Sequence, residues 1–120
     1  MVRILLADDE QAARELVSRA LSGEGHDVVV ANDGAEALDR IAAEPAAFRL
    51  LISDIQMPGL DGLTLAEKAA ALSPSLGIVL MTGYAPTIDI PAAVRPRVKK
   101  LVTKPFTLDQ IRQVVREALG

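Results

Sequence analysis

The sequence predicts an α/β domain, doubly wound, with a five-stranded parallel sheet and helices on both faces. Short apolar runs alternate with amphipathic segments of helical period along the chain. The runs are apolar on consecutive residues, as strands covered on both faces must be. Alternation of this kind requires crossover helices that return the chain to the same end of the sheet. The length of 120 residues suits one domain. Half the residues are hydrophobic but only three are aromatic, so the core must be built from Ala, Leu, Val and Ile.

The first strand is Arg3–Ala7, after which Ala13, Leu16, Val17, Ala20 and Leu21 recur at helical spacing until Gly23. Asp27–Ala31 is the second strand. Asp33 is the N-cap of a helix that buries Leu38 and Ile41 and ends before Pro45, since the residue before a proline is pushed out of the helical region. Leu50–Ser53 is the third strand, followed by a loop with Pro58 and Gly59. A helix then runs from about Leu63 to Leu72, stopped by Ser73 and Pro74. The fourth and fifth strands are Ile78–Met81 and Lys99–Val102. Between them Pro86, Pro91 and Pro96 remove amide donors and crowd the preceding turn, so the fourth helix is expected to be short, broken or absent. The closing helix carries Leu108, Ile111, Val115 and Leu119 on one face. Thr107 to Gln110 reads as its capping box, and Phe106 with Ile111 as its hydrophobic staple.

Composition excludes several classes. No apolar run approaches the ~18 residues of a membrane span, and Ile4–Ala7 is too short for a secretion signal before Asp8 interrupts it. Cysteine is absent, which removes disulfide scaffolds, thiolate metal sites and thiol nucleophiles and suits a reducing cytoplasm, the expected location. The net charge of −3 is uneven: residues 1–94 carry 6 basic and 14 acidic side chains, residues 95–120 carry 7 and 2. That basic end reads first as a solvated face, and neither a direct nucleic-acid partner nor a membrane is required by it. Within it, Arg112 and Arg116 share a face of the closing helix near Lys99 and Lys100 in sequence and could instead meet an acidic partner.

Ligands of open α/β sheets bind at the carboxyl ends of the strands. There the chain places Asp8, Asp9 and Glu10 after the first strand, Asp54 after the third, Thr82 after the fourth and Lys104 after the fifth. Singly, each has an ordinary reading: a helix cap, a turn, a self-bonded hydroxyl, a solvated ammonium. Together, carboxylates from adjacent strands repel unless one is protonated or a cation lies between them. Oxygen ligands without His or Cys point to Mg²⁺. A divalent ion beside an Asp and a Lys suits a phosphoryl group, whose transfer needs positioning and charge neutralisation. Asp54, facing Lys104 and Thr82, is the best nucleophile to accept it.

These residues carry a resemblance. Leu5-Leu-Ala-Asp8-Asp9-Glu10, Ile52-Ser-Asp54-Ile-Gln-Met-Pro58-Gly-Leu-Asp61-Gly62, Met81-Thr82-Gly83-Tyr84 and Thr103-Lys104-Pro105-Phe106 stand in the order and spacing of the response-regulator receiver domains of two-component signalling, over the whole chain. The family is itself a standard example of strand order 2-1-3-4-5, so the resemblance supplies that order, not the periodicity. It further implies that Asp54 takes phosphate from a phosphohistidine on a histidine kinase or histidine phosphotransfer protein. It implies Mg²⁺ held by Asp9, Asp54, the backbone carbonyl of Gln56 and, through water, Asp8. Lys104 and the Thr82 hydroxyl are implied to meet phosphoryl oxygens, helped by backbone amides near Gln56 and Gly83. A cis peptide before Pro105 is implied as well.

Two positions depart from the family. Where the fifth strand usually carries an inward-packing aromatic, three residues before the lysine, this chain has Leu101; and the proline-rich segment replaces a regular fourth helix on a surface that receivers commonly use for partners. Tyr84 is read as a shield of the phosphoryl group against water, against the plainer reading of a loop aromatic. The proline-rich segment, with Met81-Thr-Gly-Tyr-Ala85 ahead of it, and the absence of an output domain resemble single-domain α-proteobacterial receivers whose unphosphorylated form is an adaptor for the ClpXP protease, with ClpX or a proteolysis client as downstream partner. The expected protein is thus a switch rather than a turnover enzyme. A Mg²⁺-dependent phosphohydrolase using Asp54 would need a second acid near it, commonly two residues on, where Gln56 stands. A flavin carrier is opposed by the acids after the first strand, and no P-loop or dinucleotide fingerprint occurs. A receiver-like docking protein that takes no phosphate is opposed by the intact set Asp8, Asp9, Asp54, Thr82 and Lys104. His26 is expected at the surface in the turn before the second strand.

Overall fold

A computed structural model describes residues 1–83 and 89–120. Its strands are β1 (Arg3–Ala7), β2 (Asp27–Ala31), β3 (Leu50–Asp54), β4 (Gly77–Thr82) and β5 (Val98–Thr103), and its helices α1 (Gln11–Gly23), α2 (Gly34–Ala43), α3 (Gly62–Leu72) and α4 (Leu108–Leu119). The strands form one parallel sheet in the order β2-β1-β3-β4-β5, as the resemblance implied.

Side-chain alternation distributes the core to the two faces. Ile4 and Leu6 of β1, Leu50 and Ile52 of β3, and Val79 and Met81 of β4 pack with Val17, Ala20 and Leu21 of α1 and Ile111 and Val115 of α4. On the opposite face Leu5, Ala7 and Leu51 meet Ala37 and Ile41 of α2 and Leu65 and Ala69 of α3. Beside them Ile55, Ala66, Ile78, Leu80 and Val94 form a smaller cluster. The central strands are buried along their whole length, which explains why their sequences are apolar without alternation.

The local signals behave as their chemistry requires. The Asp33 carboxylate accepts from the Glu36 amide at 2.8 Å as the cap of α2. Asp61 does the same for α3, accepting from the Thr64 amide at 2.8 Å. At α4 the Thr107 side chain accepts from the Gln110 amide and the Gln110 side chain from the Thr107 amide, completing the capping box, and Phe106 packs against the cluster that holds Ile111. Between β4 and β5 the described residues show a turn and a single-turn 3-10 helix, Arg95–Arg97, rather than a regular helix. Arg97 fixes this segment: its guanidinium donates to the carbonyls of Ser73 and Leu76 at 2.6–3.0 Å.

Several charges of the basic end are paired within the chain. Lys100 pairs with Glu117 at 2.6 Å, and Arg116 pairs with Glu24. Arg112 donates to the Ala20 carbonyl and to Asp109, both at 3.3 Å. These pairs join α4 to β5, to α1 and to the turn after it. His26 lies just before β2, where its Nδ1 accepts from the Val2 amide at 3.4 Å.

Two glycines position the loop after β3. Gly59 has φ +75° with open space around it, whereas a β-carbon on Gly62 would overlap the backbone of Asp54 and Ile55. Gly59→Ala should therefore cost about 1–2 kcal/mol for the left-handed backbone alone. Gly62→Ala should cost more in urea denaturation, because the strand end carrying Asp54 must move.

Candidate functional site

The parallel register levels the strand ends. Ala7 lies beside Ser53, Asp54 beside Met81, and Thr82 beside Thr103. Asp8 and Lys104, each one residue past its strand, therefore meet Asp54 and Thr82 at one rim. Asp54 and Thr82 are the last strand residues, not the first loop residues as the sequence suggested: the Ile55 amide still donates to the Met81 carbonyl at 2.9 Å, and the Lys104 amide to the Thr82 carbonyl at 2.8 Å.

At the centre the Lys104 ammonium bridges two acids, 3.1 Å from Asp8 Oδ2 and 3.0 Å from Asp54 Oδ2. Asp8 is fully buried and Asp54 nearly so. The other oxygens of both are also engaged: Asp8 Oδ1 accepts from the Glu10 amide at 2.9 Å, and Asp54 Oδ1 from the Gln56 amide at 3.2 Å. Asp8 and Asp9 do not cap α1. Glu10 occupies the cap position without a side-chain bond, and the Asp8 carboxylate instead closes a turn that holds the acid pair at the strand end.

Burial pushes the Asp54 carboxyl above its ordinary value, and the neighbouring Asp8 charge adds to this, while Lys104 offsets only part. For Lys104, burial opposes the charge but is outweighed by the bond to Asp54 and the charge of Asp8, so its ammonium is held above the usual lysine value.

Asp8, Asp9 and Asp54 each offer one oxygen within 4.8 Å of the others. The opposite ligands of an octahedral ion with bonds near 2.0–2.1 Å lie about 4 Å apart, so these hard donors fit Mg²⁺ with small adjustments and room for water. Thr82 is fully buried and its hydroxyl donates to Gln56 Oε1 at 3.2 Å. Gly83 is exposed immediately after β4. The peptide bond between Lys104 and Pro105 is cis. Leu101 pairs with Leu80 and is 37% exposed. Tyr84 lies outside the described residues.

Two contacts made by Asp8 escape the sequence reading. The Arg14 guanidinium donates to the Asp8 carbonyl at 2.8 Å, pinning the end of β1; an arginine one turn into α1, six residues after Asp8, was its one signal in the sequence. The second is the shared hold of Lys104 on Asp8 as well as Asp54. Beside Lys104 lies a shallow, mainly apolar hollow lined by Ala12, Ala13, Leu16, Pro105 and Phe106.

A raised carboxyl pKa means that the folded chain holds the Asp54 anion less well than the unfolded chain does. Without divalent ions, Asp54→Asn should therefore melt at a higher temperature than wild type at pH 7. The advantage should shrink as pH falls through the raised value and vanish below the ordinary one, where wild-type Asp54 is protonated in both states. Calorimetry in EDTA across this range checks it.

The sequence profile described as the response regulator receiver domain matches residues 4–116. The chain is 38% identical over 119 residues to the response regulator receiver protein CpdR of Brucella abortus, covering 99% of this chain and 98% of CpdR. It is 36% identical to the response regulator MprA of Mycobacterium bovis, of whose length it spans only 50%. The crystal structure of the response regulator protein TrrA from Thermotoga maritima in complex with Mg²⁺ and BeF superposes with a TM-score of 0.83 at 31% identity, covering 98% of this chain and 99% of TrrA. With its rim of acids, threonine and lysine on a 2-1-3-4-5 sheet, the chain belongs to the response regulator receiver domain family.

Proposed function

We propose that this chain is a phosphorelay receiver in the cytoplasm, phosphorylated on Asp54 with Mg²⁺ from a phosphohistidine, and that the phosphate switches its binding to a downstream protein. The observation that carries this reading is the nearly buried Asp54 carboxylate between the Lys104 ammonium and a second, fully buried acid. Family membership and the likeness to TrrA, whose structure holds Mg²⁺ and BeF, support it; fluoroberyllate imitates a phosphoryl group in shape and charge.

Asp9, Asp54 and the Gln56 carbonyl would hold Mg²⁺, with Asp8 reached through water; the ion, when bound, neutralises charge on the phosphoryl oxygens. An Asp54 oxygen attacks phosphorus, the bond from phosphorus to the imidazole nitrogen breaks, and the bonding pair leaves with the imidazole. Lys104 turns from its two acids to a phosphoryl oxygen, Thr82 supplies a hydroxyl, and the amides near Gln56 and Gly83 supply further donors. The apolar hollow beside Lys104 gives the surface of a histidine kinase or phosphotransfer protein a place to rest next to Asp54.

Lys104 cannot throw the switch alone. Moving an equilibrium from 1:99 to 99:1 takes about 5.5 kcal/mol, while one charge pair at 4 Å yields about 4 kcal/mol at an effective dielectric of 20, before desolvation. The Thr82 hydroxyl must move too. For output, the likeness to CpdR over nearly the whole of both chains supports a proteolysis adaptor whose unphosphorylated form binds ClpX or a client.

Incubation with Mg²⁺ and acetyl phosphate should add about 80 Da, one phosphoryl group, to wild type and nothing to Asp54→Asn. A purified-ClpX pull-down should retain Asp54→Asn and release the phosphorylated wild type. A chain that gains no mass, or an Asp54→Asn variant that gains as much, contradicts the phosphoacceptor assignment.

A further inference from the structure

Gln56 joins the two parts of the site that the proposed switch must separate. Its amide donates to Asp54 Oδ1, and its side-chain oxygen accepts from the Thr82 hydroxyl, both at 3.2 Å. The two contacts come from one exposed loop residue, which reaches over the rim to a threonine that is itself fully buried.

We infer that Gln56 is a positioning residue, a latch whose side-chain oxygen holds the Thr82 hydroxyl in its resting orientation and which must be broken before Thr82 can serve a phosphoryl group on Asp54. The physical basis is the proton count. A threonine hydroxyl has one proton to donate. While that proton lies on Gln56 Oε1 it cannot lie on a phosphoryl oxygen, whatever else Thr82 touches. Gln56 therefore stabilises the resting form and not the phosphorylated one, the differential interaction that a two-state switch requires. Gln56 itself is exposed and could bond water, so the latch is worth no more than an ordinary neutral hydrogen bond, which sets its effect at about two- to tenfold on the switching equilibrium. This consequence rests on the phosphoacceptor reading of Asp54; the resting contact does not.

The experiment uses Gln56→Leu, which keeps bulk and loses the acceptor, and Gln56→Glu, which keeps an acceptor oxygen. Three-bond NMR couplings to the Thr82 methyl group, measured without metal or phosphate, report its χ1. Wild type and Gln56→Glu should share one rotamer distribution, and Gln56→Leu should depart from it. Fluoroberyllate with Mg²⁺ then serves as the probe of the phosphorylated form. Gln56→Leu should bind it about two- to tenfold more tightly than wild type, and the gain should disappear when Thr82→Ala is added to both. An unchanged Thr82 rotamer in Gln56→Leu overturns the inference, and so does a gain in affinity that persists without the Thr82 hydroxyl. If no chain binds fluoroberyllate, the phosphoacceptor reading is what has failed, and the rotamer measurement alone decides the latch.

Discussion

The constraint on which the structure depends is electrostatic. Two buried carboxylates, Asp8 and Asp54, converge on one ammonium at the rim of the sheet, with Asp9 close by. Lys104 carries a single charge against three acids. Its neutralisation is therefore incomplete, and burial, with the Asp8 charge adding to it, raises the Asp54 pKa in spite of the lysine. A divalent cation among the oxygens would bring the cluster to neutrality. The same arrangement that costs stability without an ion suits one, and it is also what the proposed function requires, because an ammonium and amide donors are already in place where new negative charge would arrive.

The fold brings these groups together at and just past the ends of the strands. Parallel pairing in register puts Asp54, Thr82 and their neighbours at one level, and the apolar strands behind them supply a core rigid enough to hold the acids against repulsion. The backbone takes part as well. The Asp8 carbonyl is pinned by Arg14, the Asp8 carboxylate is tied to the Glu10 amide, and Gly62 lets the loop after Asp54 lie against the strand end. Beyond the acids, the Thr82 hydroxyl and the Gln56 side chain tie β4 to the loop after β3. Leu101, where the family usually has an aromatic, lies half open on β5 beside Leu80 and offers no ring to follow the threonine inward.

Much of this was legible from residue order. Five apolar runs, Asp33 as a cap, the Thr107–Gln110 box and the acids after the first and third strands all follow from local chemistry, and local chemistry is what a sequence displays. The strand ends at Asp54 and Thr82 were placed one residue early, because polar side chains suggested loop where the ladder still bonds their main chains. Contacts made across the fold were hidden. Lys104 stands 96 residues from Asp8 and Arg112 stands 92 from Ala20, and a run of basic residues does not reveal which carboxylates and carbonyls it will meet. The Gln56 side chain was invisible for the same reason: its partner belongs to another strand.

The most direct test of the central claim is a calorimetric titration of Mg²⁺ into wild type, Asp9→Asn and Asp54→Asn. The account predicts one site per wild-type chain and a clear loss of affinity in both variants, since each removes an oxygen charge from the same cluster. Absence of binding to wild type, or equal affinities in all three chains, would contradict it.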